Sequence, residues 1–86
     1  MLASALNVYN TCLVILKNDG FTIQYDKESD YWSAEKLGFK FAGESPIELL
    51  GLSKIYDKLQ PKTDYDYWWE IAEPNLFEEL APEVFE

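Results

Sequence analysis

The chain has 86 residues and a formal net charge of -9, from 7 lysines and arginines against 16 acids. That length is one domain, because halving it leaves each part too small to bury a useful core. A hydrophobic share of 48% and an aromatic share of 16% exclude a wholly disordered chain, and the charge sign excludes a basic, phosphate-neutralising nucleic-acid binder. With no histidine, there is no imidazole base, no Ser-His or Cys-His nucleophile and no histidine-ligated metal.

Leu2, Leu6, Tyr9, Leu13 and Leu16 recur at helical spacing, and Ala5, Val8, Cys12 and Ile15 widen the stripe. The spacing predicts a first helix over this stretch, stopped by Asn18-Asp19-Gly20. Cys12 is the only cysteine and lies among apolar neighbours, which points to a buried, inert thiol in a reducing cytoplasm. Met1 to Leu16 carries no charged side chain. It also lacks the basic start of a signal peptide and the roughly 20 apolar residues of a membrane span.

Strict alternation follows. Phe21, Ile23 and Tyr25 share one face, while Thr22, Gln24 and Asp26 share the other. Lys27-Glu28-Ser29-Asp30 and Leu37-Gly38 separate three strands in a meander. If Asp26 faces Tyr31, Tyr25 opposes Trp32 and Ile23 opposes Ala34; if Leu37-Gly38 is a two-residue turn, Ala34 opposes Phe41 and Glu35 opposes Lys40. Both helices are expected on the face bearing Phe21, Ile23, Tyr25, Trp32, Ala34, Phe39 and Phe41. Lys36 falls on that face opposite Phe39, where its stem can cover the ring while its ammonium reaches water.

Ser45-Pro46-Ile47-Glu48 is a capping box opening a second helix. Leu49, Leu52, Tyr56 and Leu59 form its stripe with Ile55 beside it, and Gln60-Pro61 ends it. Gly51 in mid-helix implies a close crossing over the sheet or first helix. The expected fold is therefore α+β: a single small domain with an αβββα core over residues 1–61. Residues 62–86 form an acidic, aromatic C-terminal segment, partly docked and fraying after Pro74. Asn75 is positioned to cap a short helical turn through Leu80.

Charge divides unevenly along the chain. Residues 64–86 hold eight of the 16 acids and no lysine, whereas residues 1–63 are close to neutral. The segment opens Asp64-Tyr65-Asp66-Tyr67-Trp68-Trp69-Glu70-Ile71. Read structurally, Tyr65, Tyr67 and Trp69 alternate inward as an edge strand or strap, with Asp64, Asp66, Trp68 and Glu70 outward. Read functionally, Asp64, Tyr65, Asp66, Trp68 and Glu70 form an acidic, aromatic patch for a partner protein.

No catalytic residues, cofactor or metal are expected. The glycines are dispersed rather than gathered in a phosphate loop. Asp26, Glu28 and Asp30 imitate the start of a calcium loop, but Tyr31 stands where that loop needs Gly and Leu37 where it needs Glu. The expected function is a protein-binding module docking a basic partner, steered by its negative field. The alternatives are a nucleic-acid mimic that inhibits a DNA- or RNA-binding protein, and a homodimeric structural domain closing over excess apolar surface on the first helix. Direct nucleic-acid or membrane binding is not expected.

Overall fold

The computed structural model describes residues 1–64 and 67–85, with the side chain of Phe85 left aside. Tyr65, Asp66 and Glu86 lie outside the described residues. A 3-10 turn at Leu6–Val8 leads into helix α1 (Tyr9–Asn18), followed by strands β1 (Thr22–Asp26), β2 (Tyr31–Lys36) and β3 (Phe39–Gly43). Helix α2 (Pro46–Leu59), a short helix α3 (Leu76–Leu80) and a 3-10 turn at Pro82–Phe85 complete the order. Helix, three-stranded antiparallel meander and helix make the α+β core that the periodicity predicts.

The first helix is shorter than its apolar spacing implies. It begins at Tyr9, not Leu2, and neither Ala5 nor Val8 supplies a side-chain cap. Leu2 and Leu6 reach no partner layer and stay 86% and 78% exposed, so nothing rewards extending the helix back over them. Its end is well defined: Gly20 takes φ +94°, and the Phe21 N–H donates back to the Leu16 carbonyl at 3.1 Å. That closure delivers Phe21 directly into the core.

Both hairpins have the expected register. Tyr25 pairs with Trp32 and Ile23 with Ala34; Ala34 pairs with Phe41, Glu35 with Lys40 and Lys36 with Phe39. In the first connection the Asp26 carboxylate accepts the Glu28 N–H at 3.0 Å, and Asp30 turns the chain at φ +55°. In the second, Leu37 and Gly38 both take positive φ, as a type I′ turn requires.

Helices α1 and α2 pack against each other and cover one face of the sheet, α1 over β1 and α2 over β3 and β2. Leu16, Phe21, Ala34, Phe39, Phe41 and Leu49 form the buried cluster between the layers, and Cys12 is buried nearby. Coverage fails at one end of the sheet. Tyr25 lies on the inner face yet remains exposed, and Trp32 is only half-buried, its ring 4.7 Å from that of Tyr25. Lys36 occupies the other end, with its ammonium 5.3 Å from the Phe21 ring centre and 5.9 Å from that of Tyr56. The cation thus lies over two rings, neither of them its cross-strand partner.

Ser45 caps α2 by accepting the Glu48 N–H, while the Glu48 carboxylate accepts the N–H of Glu44, one residue before the cap. Gly51 corrects the expectation placed on it. It is exposed, and a Cβ there would meet nothing within 4 Å. The close approach lies at Gly43 instead, where a Cβ would come within 3.0 Å of the Glu48 side chain as the chain passes from β3 to α2.

Candidate docking surface

After α2 the chain reverses at Gln60, whose left-handed backbone carries its N–H onto the Tyr56 carbonyl. The acidic segment then turns back over the end of the sheet. Trp68 fixes it there. Its ring packs edge-on against Phe39 at 5.9 Å and Tyr56 at 6.3 Å, and its indole N–H donates to the Asp64 carboxylate at 2.7 Å. The ring is half-buried, and an acid four residues earlier accepts its N–H without a contact from the core.

Among the described residues of the 64–71 tract, this geometry departs from the expected alternation at Tyr67, Trp68 and Trp69. Tyr67 has φ +62° and its carbonyl accepts the Glu70 N–H, so the described part is a turn rather than a strand. Trp68 is half-buried, whereas Tyr67 and Trp69 are 69% and 50% exposed. Among the five residues expected at a partner contact, Asp64 and Glu70 are exposed and Trp68 joins segment to core. Tyr65 and Asp66 lie outside the described residues.

Trp68 and Trp69, at right angles with ring centres 5.5 Å apart, form one wall of an apolar groove of about 210 Å³. Leu52 and Ile55 of α2 and Lys40, Phe41 and Ala42 of β3 complete its lining. The sequence gives a partial clue to this feature. Two adjacent tryptophans cannot both point inward from regular backbone, and Ile55 sits beside the buried stripe of α2 rather than within it.

A wider hollow of about 640 Å³ lies against the first hairpin, touching Tyr25, Asp26, Ser29, Tyr31 and Trp32. Two carboxylates of that hairpin are committed to its own fold: Asp26 accepts the Glu28 N–H, and Asp30 accepts the Tyr25 hydroxyl at 2.8 Å. Among the described residues no three of His, Cys, Asp and Glu gather as a metal site would require, and no helix is long and apolar enough to cross a membrane. Helix α3 is capped as expected, with Asn75 accepting the Glu78 N–H at 3.0 Å, and packs chiefly against the following 3-10 turn. Comparison with protein-family models, with curated proteins and with solved structures finds no match.

Proposed function

We propose that the chain is a non-catalytic, cytoplasmic protein-binding module that docks a basic partner protein through its C-terminal segment. Asp64, Tyr65, Asp66, Trp68 and Glu70 are the contact residues of this reading, with the exposed rings of Tyr67 and Trp69 beside them. One observation supports it above the rest: the start of a stretch with eight acids and no lysine is packed onto the folded core by Trp68, against Phe39 and Tyr56, while the rings of Tyr67 and Trp69 face solvent. Negative potential steers a cationic surface toward the segment, and aromatic area then makes the desolvated contact.

The experiment is capture of partners from a low-salt lysate by the full chain and by a full-length variant carrying Asp64→Asn, Asp66→Asn and Glu70→Gln. Circular dichroism first establishes that both fold alike. The expected result is a basic protein that the parent chain retains, high salt releases and the variant fails to hold. Equal capture by both chains at every salt concentration overturns the reading.

A further inference from the structure

The sheet has order β1-β2-β3, so β3 is an edge strand, and the groove runs along it. A two-residue turn makes Lys36 and Phe39 the hydrogen-bonded closing pair of the second hairpin. Antiparallel parity then directs the N–H and C=O groups of Lys40 and Ala42 away from β2, toward the side where Trp68 and Trp69 stand. Among the described residues these outward N–H groups donate no hydrogen bond. An edge strand with unpaired backbone groups, bordered by an apolar groove, is a template for one further strand.

We propose that β3 is the docking edge, and that the partner binds by adding an extended segment of its own as a fourth strand beside Lys40 and Ala42. This rests on the reading of the C-terminal segment as a surface for a basic partner, and specifies how that partner is held. The added strand lies roughly 4.8 Å from β3. Alternate residues on its inner side enter the groove between Leu52 and Ile55 and the two tryptophans, so they are apolar. Residues on its outer side lie beside Lys40, so they are uncharged or acidic. Lysine or arginine flanks it, to suit the acidic C-terminal segment. Charge selects this occupant over a second copy of the chain, because two molecules of net charge -9 repel each other on approach.

The probe is a blocked peptide, Lys-Val-Thr-Val-Thr-Val-Lys, added to the full chain and followed by amide hydrogen exchange. Slowed exchange at the Lys40 and Ala42 amides is the expected result. A copy of the peptide N-methylated at the amides facing β3 should bind about tenfold more weakly or worse, the scale of one lost net hydrogen bond. Equal binding of the methylated peptide, binding without protection at those two amides, or no binding overturns strand addition. So does protection that grows with protein concentration and needs no peptide, which assigns the edge to a second copy.

Ala42→Pro in the full chain separates this inference from the one beneath it. Proline removes an N–H that faces away from the ladder, a position where edge strands accept it. Capture of the basic partner lost in Ala42→Pro, with the tail acids intact, supports strand addition. Capture that survives Ala42→Pro but fails in the acid-neutralised variant leaves acidic docking standing and removes the strand. Capture indifferent to both removes both. If Ala42→Pro fails to fold, the exchange experiment on the parent chain decides.

Discussion

Trp32 and Trp68 are both half-buried at opposite ends of one sheet face, and they reach those places by different routes. Trp32 is set by the register of two hairpins, which fixes the side of β2 it leaves from and puts Tyr25 beside it. Trp68 is set by a turn, a hydrogen bond to Asp64 four residues away, and ring packing on Phe39 and Tyr56. One placement follows from a period that runs through the whole meander; the other follows from local chemistry with no period. The charge divides along the same boundary, with a nearly neutral meander and helices beside a segment rich in acids. Placement by period is shared along three strands, whereas the placement of Trp68 rests on one bond and the rings of Phe39 and Tyr56.

The largest effect belongs to neither tryptophan but to the layer they flank. Leu49 is fully buried between α2 and the sheet. Leu49→Ala should cost about 2–5 kcal/mol, lost transfer energy plus the cavity left behind, which is a large part of a small domain's stability. Urea unfolding followed by tryptophan fluorescence checks it. A loss below about 1 kcal/mol would mean that the two layers are not packed through Leu49.

Next come the tryptophans themselves. A fully buried Trp costs about 3–5 kcal/mol on truncation, and half-burial reduces that to about 2 kcal/mol for Trp32→Ala. Trp68→Ala should cost about 1–2 kcal/mol, because it removes the packing on Phe39 and Tyr56 without opening the Leu16–Leu49 centre. The readout that sharpens the comparison is cooperativity. Trp32→Ala should lower the stability of the whole domain, whereas Trp68→Ala should release the acidic segment to proteolysis while far-ultraviolet circular dichroism stays close to that of the parent. Identical protease sensitivity in the two variants would erase the distinction.

A smaller effect with a definite sign comes from Gly51. It sits in the middle of α2, exposed, with open space where a Cβ would go. Gly51→Ala should therefore stabilise the domain by about 0.5–1 kcal/mol, the helix-propensity difference. Gly43→Ala should destabilise it, because its new Cβ meets the Glu48 side chain at 3.0 Å and that side chain also accepts the Glu44 N–H. Thermal melts of the two variants should shift in opposite directions.

These pairs also mark how far the sequence could be read. Registers were legible because period 2, a Leu37-Gly38 turn and a four-residue break leave one pairing that puts Ile23, Ala34 and Phe41 together. The cap at Ser45 and the stop at Gly20 were legible because each rests on residues adjacent in the chain. The start of α1 was not, since apolar spacing from Leu2 says nothing about whether a partner layer reaches that far. Gly51 misled because a glycine in a helix has the same letter whether a neighbour approaches or none does. The tract from Asp64 stayed open between strand and docking segment for a related reason: alternation of acids and rings imitates a strand, while the Asp64–Trp68 bond and the positive φ of Tyr67 make a turn of its described part. The groove at β3 needs tertiary structure, since Ala42 and Trp69 line it together only after the chain has returned.

The smallest predicted effect lies at the uncovered end of the sheet. The Tyr25 hydroxyl donates to Asp30 at 2.8 Å, and this bond raises its pKa above the ordinary tyrosine value, aided by burial and by the charges of Asp30 and Asp26. A raised pKa means that the folded state holds the phenolic proton more firmly than the unfolded chain does. The associated stability is fully present below the unfolded value of about 10 and is lost as pH climbs through the folded one. Asp30→Asn is the informative substitution, because asparagine tolerates the φ of +55° at this position and keeps an acceptor while removing the charge. Ultraviolet difference titration of the two chains should show one tyrosine moving back toward its ordinary range in Asp30→Asn. The parent's stability should decline more steeply than the variant's once the pH passes about 10. Superimposable titrations would mean that Tyr25 and Asp30 do not hold each other in solution. The Tyr25–Trp32 ring pair would then lose the one polar contact that anchors it at the open end of the sheet.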